Sequence, residues 1–213
     1  MPGCGRLMLS KDISLPMNKK ILQRLYINNG SSVAEIAKKI KCSSNSINYW
    51  MNKYGIPKRS ISEAIYQKNN PKGDPFNFVK PNSLRKMFLF GLGLGLYWGE
   101  GTKKSLHSIR LSNTDPALVK SFIGCLISVY NIDKNKLRFQ LLSYNDLDKD
   151  TLLHFWTKYL SVRSDQFSKT TILKRRGKGT YLQKMKYGVL LLTFSNVKLR
   201  NLICDQIANI KNL

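Results

Sequence analysis

The sequence predicts an α+β protein in two parts: a small all-helical domain, then a larger one that mixes helices and strands. Three observations carry this prediction. Residues 67–83 crowd Asn69, Asn70, Pro71, Gly73, Pro75, Pro81 and Asn82 into one stretch, a composition that interrupts regular structure and marks an interdomain linker. Before it, apolar residues recur only at helical spacing. After it, helical stripes alternate with segments of period two. The predicted division is a disordered lead-in over 1–16, a helical domain over 17–66, the linker over 67–83, and an α+β domain over 84–213.

Composition bounds the partner. The chain has 213 residues, with 36 Lys plus Arg against 12 Asp plus Glu, for a formal net charge of +24. Residues 1–80 hold 14 basic and 4 acidic side chains, and residues 81–213 hold 22 and 8, so both parts are drawn to the same kind of partner. A hydrophobic fraction of 42% excludes a disordered basic tail. A chain of this length buries roughly 70% of its unfolded surface without metal or disulfide staples. An enzyme of small acidic metabolites needs only a local basic pocket; an excess spread over the whole chain points to nucleic acid. Cys4, Cys42, Cys125 and Cys204 lie far apart with only His107 and His154 to help, so neither a zinc site nor a disulfide framework is signalled. Reduced thiols in a cytoplasmic protein are expected. The longest apolar run, 87–98, is broken by glycines and falls short of the ~20 residues of a membrane span. No signal peptide is read in residues 1–16, which lack a continuous apolar stretch.

In the helical part, Ile21, Leu22, Leu25 and Tyr26 mark one short amphipathic helix. Val33, Ile36, Ala37 and Ile40 mark a second, with Ser31 or Ser32 as its N-cap. Ser43 caps a third, whose apolar stripe is Ile47, Trp50 and Met51 and whose stop signals are Gly55 and Pro57. Helix, tight turn, helix over 33–56 resembles the helix-turn-helix domains of resolvases and bacterial regulators, across about 50 residues. The resemblance implies that the second paired helix enters the major groove of DNA. Ser44, Asn45, Asn48, Tyr49 and Asn52 would then face base edges, a set whose asparagines suit adenine. Lys38, Lys39, Lys41, Lys53, Lys58 and Arg59 would contact phosphates.

Residues 84–101 carry five of the chain's 14 glycines inside an apolar helical run. Each interior glycine costs roughly 1 kcal/mol relative to alanine, so the helix needs a reason to keep them. Gly91, Gly95 and Gly99 share one face and would let another helix approach at backbone distance, inside or between soluble domains; between two copies this face would be a dimer interface. Glu100 ends the helix, where the macrodipole disfavours a carboxylate, and it is the last glutamate of the chain. Two copies packed through their glycine faces would bring two Glu100 carboxylates together. That is the donor set that Mg²⁺ or Mn²⁺ needs beside a phosphodiester.

Gly95-Leu96-Tyr97-Trp98-Gly99-Glu100-Gly101 resembles the core of the LAGLIDADG homing endonuclease motif. Glu100 falls on the motif's last acidic position, and Trp98 stands where the family usually has its first acid. The resemblance implies a saddle-shaped fold, helices packed on a curved antiparallel sheet that lies over DNA. It places metal binding at Glu100 with Gly99, and a cationic helper at the scissile phosphate, for which Lys103, Lys104 and Lys169 are the candidates. One motif per chain implies a homodimer on a long, pseudo-palindromic double-stranded site.

The remaining elements follow in order. Residues 108–113 alternate as a strand, and Asp115 or Thr114 caps a helix with Pro116 in its first turn. A second strand spans 136–141, and a helix over 151–160 departs from the family's order of elements. Strands over 167–173 and 187–195 and a final helix from Leu199 close the chain. On the outward sheet face the readers would be Ser108, Arg110, Lys136, Arg138 and Gln140, while 187–195 is apolar on both faces and reads as a poor reader. Residues 174–186, with Lys174, Arg175, Arg176 and Lys178, form a basic loop suited to a phosphate backbone. Two rival functions share these features: a transcription regulator that keeps the fold as a DNA clamp, and an RNA-splicing maturase. A dinucleotide site is excluded, because Gly91, Gly93 and Gly95 do not make G-x-G-x-x-G after a strand.

Overall fold

The computed structural model describes residues 17–145, 147–174 and 186–211. The lead-in 1–16 and the basic residues Arg175, Arg176 and Lys178 lie outside this range. The chain forms two compact units, 1–73 and 74–213.

In the first unit, α1 (Lys19–Gln23) widens into a π turn over Arg24–Asn28. It is followed by α2 (Val33–Ile40), α3 (Ser44–Lys53) and α4 (Ile61–Asn69). Ser32, not Ser31, caps α2 in a reciprocal box: its Oγ accepts from Glu35 N at 3.2 Å while Glu35 Oε2 accepts from Ser32 N at 2.7 Å. Lys41, left-handed at φ 61°, stops α2, and Ser43 restarts the chain by accepting from Ser46 N at 3.1 Å. The core is Leu22, Leu25, Tyr26, Ile36, Ala37, Ile47, Trp50, Met51 and Ile56. Helix α4 buries no residue, so no apolar stripe announced it; a second capping box, Ser60 with Glu63, starts it.

The second unit contains α5 (Leu84–Glu100), β1 (Ile109–Asn113), α6 (Pro116–Ser128), β2 (Arg138–Tyr144), α7 (Lys149–Leu160), β3 (Thr171–Leu173), β4 (Val189–Phe194) and α8 (Val197–Lys211). Asp115, not Thr114, caps α6 by accepting from Ala117 N at 2.8 Å, with Pro116 next. The strands order β1-β4-β2-β3, with β4 antiparallel to both neighbours and β3 parallel to β2. The expected antiparallel sheet is therefore mixed. A parallel neighbour needs a crossover of a dozen or more residues, and α7 supplies it between β2 and β3. Ile109, Leu111, Phe139, Leu141, Leu190, Leu192 and Phe194 alternate inward against Leu94 and Tyr97 of α5, Val119, Phe122 and Leu126 of α6, and Leu199, Ile203 and Ile207 of α8.

The stretch 67–83 is divided between the units. Gln67 to Asn69 finish α4, whereas Asn77 N donates to Tyr130 O at 2.8 Å and Phe78 packs on Phe90 and Tyr130 in the second core. Among the described residues, no helix is long and apolar enough to cross a membrane.

Candidate nucleic-acid interface and its carboxylate

Helix α3 presents Ser44, Asn45, Tyr49, Asn52 and Lys53 to solvent and half-buries Asn48, while Ile47, Trp50 and Met51 turn into the core. Lys53 Nζ folds back to 4.7 Å from the Trp50 ring centroid, a cation–π contact that holds its charge on the C-terminal half of the helix. Lys58 is exposed.

Arg59 departs from its expected role. Its guanidinium stacks 4.1 Å from the Tyr26 ring centroid, and Nη2 donates to Tyr26 O at 2.8 Å and Ser31 O at 2.6 Å. Nη1 donates to Gly30 O at 2.8 Å and to the Gln67 side chain. The carbonyls left open where the π turn ends thus engage both terminal guanidinium nitrogens, and Arg59 staples α4 to the first helices instead of facing a phosphate.

In the second unit, the glycines of α5 divide into two roles. A Cβ at Gly93 would lie 2.2 Å from Cys125 Sγ, so this glycine lets α6 pack against the helix. Burial pushes the Cys125 thiol up to about 12, keeping it protonated and inert. Gly91, Gly95 and Gly99 face the other way, with nothing within 4 Å of a Cβ at any of them. Leu84 (86% exposed), Phe88 (70%) and Trp98 (43%) extend the same outward stripe at spacings of three and four. This is an apolar, small-residue helix face open to solvent along five turns, and exposed Glu100 stands at its end.

Glu100 is followed at once by a clamped loop. Thr102 N donates to Arg110 O at 2.9 Å, Lys103 Nζ donates to Trp98 O at the helix C-terminus, and Lys104 is exposed. Arg200, from α8, donates to Lys103 O at 2.8 Å and Ser105 O at 3.2 Å. Lys169 is not beside Glu100. Gly101, Leu111, Leu192, Phe139 and Phe167 pair in one row across the sheet, and four strand spacings put the ends of that row about 19 Å apart. Glu100 adjoins one end and Lys169 the other.

The outward sheet face forms a groove of ≈ 410 Å³, lined by Arg110 of β1, Arg138 and Gln140 of β2, and Leu191 and Thr193 of β4, with Asp165 on its rim. Arg110 Nε donates to Ser108 Oγ at 3.1 Å, and Arg138 Nη1 donates to Asn135 O at 2.6 Å and Leu137 O at 2.8 Å. Gln140 Nε2 donates to Thr171 Oγ1 at 3.1 Å. Two expected readers do not line this groove. Ser108 is buried and bonded to Ser105 Oγ at 2.7 Å, and Lys136 ends a 3₁₀ turn ahead of β2. Lys174, just after β3, is exposed. Arg200, Thr193 and Leu191 escaped the sequence reading: the first acts across 95 residues, and the other two sit on a strand that is apolar on both faces.

Among the described residues no group of three or more His, Cys, Asp or Glu side chains could hold a metal ion. No family model matches the chain, and neither a curated protein nor a solved structure matches it.

Proposed function

We propose that the protein is a site-specific double-stranded DNA endonuclease of LAGLIDADG type that works as a homodimer. The observation that carries the reading is the open glycine face of α5 ending in Glu100. A helix keeps three solvent-facing glycines, at about 1 kcal/mol each, only if something must approach closely there, and a second copy of the same face meets that need. The cationic groove on the sheet and the asparagine-rich face of α3 as a helix-turn-helix reader support it.

The donor chemistry fits a hard cation. Mg²⁺ is commonly held by one or two carboxylates, with water and substrate phosphate completing its shell, and an exposed Glu100 from each copy with Gly99 beside it offers that set. Such an ion, when bound, supplies charge stabilisation at the scissile phosphate. The chain's own groups do the rest. Lys103 is committed to the Trp98 carbonyl, whereas Lys104 beside it is exposed and can meet a phosphate. Arg200 holds the loop that carries both lysines, and Arg110, Arg138 and Gln140 orient the duplex.

Replacing Glu100 by Gln tests this. The variant should bind a duplex selected from a random pool as tightly as the wild type, and cleavage with Mg²⁺ or Mn²⁺ should be lost. Wild-type protein that binds but never cuts would instead establish the regulator reading, which Trp98 in the place of the first acid favours. In either case the +24 charge makes binding salt-sensitive: with roughly 6–10 phosphates contacted, affinity falls about 10³- to 10⁵-fold between about 50 and 200 mM salt.

A further inference from the structure

We propose that Thr193 and Leu191 of β4 are specificity-determining residues that select thymine through its 5-methyl group. The inference rests on the DNA-reading role of the sheet and adds to it a strand that the sequence dismissed. Strand β4 lies between β1 and β2, so its outward residues fall in cross-strand rows with the groove's polar side chains. One row is Arg110, Thr193, Arg138, and the next is Ser112, Leu191, Gln140. The two arginines are long and exposed and form walls; Thr193 and Leu191 are shorter and half-buried and form the floor.

The dimensions suit a major groove. Two strand spacings separate β1 from β2 by about 9.6 Å, within the ~12 Å of the groove. Thymine is the base that presents a methyl group there, and it projects toward whatever lies over the groove. A leucine floor offers no hydrogen bond, so it leaves the exocyclic amine of cytosine or adenine unpaired and accepts a methyl group without loss. Thr193 adds a methyl of its own between two guanidinium groups that favour guanine. Outward residues two apart along a strand are separated by about 6.8 Å, the rise of about two base pairs at ~3.4 Å each. The floor therefore selects thymines about two base pairs apart, the one at Thr193 neighboured by guanine.

The experiment uses the full chain and duplexes selected from a random pool, with each enriched thymine replaced in turn by deoxyuridine, which lacks only the methyl group. Wild-type affinity should fall about four-fold at each of the two positions, the equivalent of ~0.8 kcal/mol for one buried CH₂-sized group. Thr193→Ser and Leu191→Ser should each abolish discrimination at its own position and keep it at the other. Equal binding of thymine and deoxyuridine by the wild type, which requires no variant to fold, overturns the inference and leaves duplex recognition standing. Failure to bind any duplex overturns the proposed function and the inference with it.

Discussion

Alanine at Gly93 and at Gly95 should have opposite effects although the residues are two apart in one helix. In the middle of a helix, Gly→Ala gains about 1 kcal/mol of backbone propensity. At Gly95 a Cβ meets nothing within 4 Å, so the isolated chain should keep the gain, and its melting temperature should rise about 2–4 °C for a protein of this size. At Gly93 the same methyl would sit 2.2 Å from Cys125 Sγ and 2.7 Å from its Cβ, in a packed seam between α5 and α6. Overpacking of this kind costs about 1–3 kcal/mol, and with a clash this deep the upper end applies, leaving a net loss of about 2 kcal/mol. Adding Cys125→Ala should recover most of that loss, a coupling that a double-mutant cycle measures. Calorimetry on dilute protein reads the stabilities, and sedimentation equilibrium reads association, which Gly95→Ala should weaken by placing a methyl group in the helix-to-helix seam of each copy. If Gly95→Ala lowers the melting temperature of the monomer as Gly93→Ala does, the face is not open and the division of the glycines is wrong.

Arg59→Met should destabilise the first unit by about 2–4 kcal/mol, because it leaves the carbonyls of Tyr26, Gly30 and Ser31 without their donor, whereas Lys58→Met should leave the melt unchanged and lower the salt slope of DNA binding by about 1; thermal unfolding and titration at several salt concentrations check both. Two bonds to Ser32 hold the Glu35 carboxyl below its ordinary 4.5, so its stabilising contribution is complete above that value and is lost as pH falls through the lower folded-state value. Glu35→Gln, which can still cap, should remove that part of the acid dependence when the helical circular dichroism signal is followed from pH 6 to about 2. Arg200→Gln should slow cleavage with duplex affinity unchanged, since Arg200 acts on the loop beyond Glu100 and touches no groove residue; single-turnover cleavage beside equilibrium binding separates the two.

Elements that carry both a cap and an apolar stripe were legible in the sequence. Ser43 with Ile47, Trp50 and Met51, and Asp115-Pro116 with Val119, Phe122 and Leu126, give a start and a buried face together. Helix α4 has the cap, Ser60 with Glu63, but Ile61 and Ile65 stay exposed, so hydrophobic periodicity had nothing to report. The direction of β3 was not legible either, because alternation records which face is buried and not which neighbour pairs with it. Among the candidate site residues, the exposure of Glu100, Arg110, Arg138 and Gln140 was legible because a polar side chain at a fixed phase of an apolar helix or strand has one exposed direction. Arg59 and Lys58 are indistinguishable as adjacent cations in a basic chain; only the unpaired carbonyls of the distant π turn decide that one is internal.

A mixed dimer decides whether each Glu100 serves one DNA strand. One subunit is wild type, the other carries Glu100→Gln, and the two are purified together through different tags. Supplied with Mg²⁺ and the selected duplex, this species should nick a single strand, while the wild-type dimer breaks both. A double-strand break by the mixed dimer, or no break by the wild type, would contradict catalysis by paired Glu100 carboxylates across the α5 face.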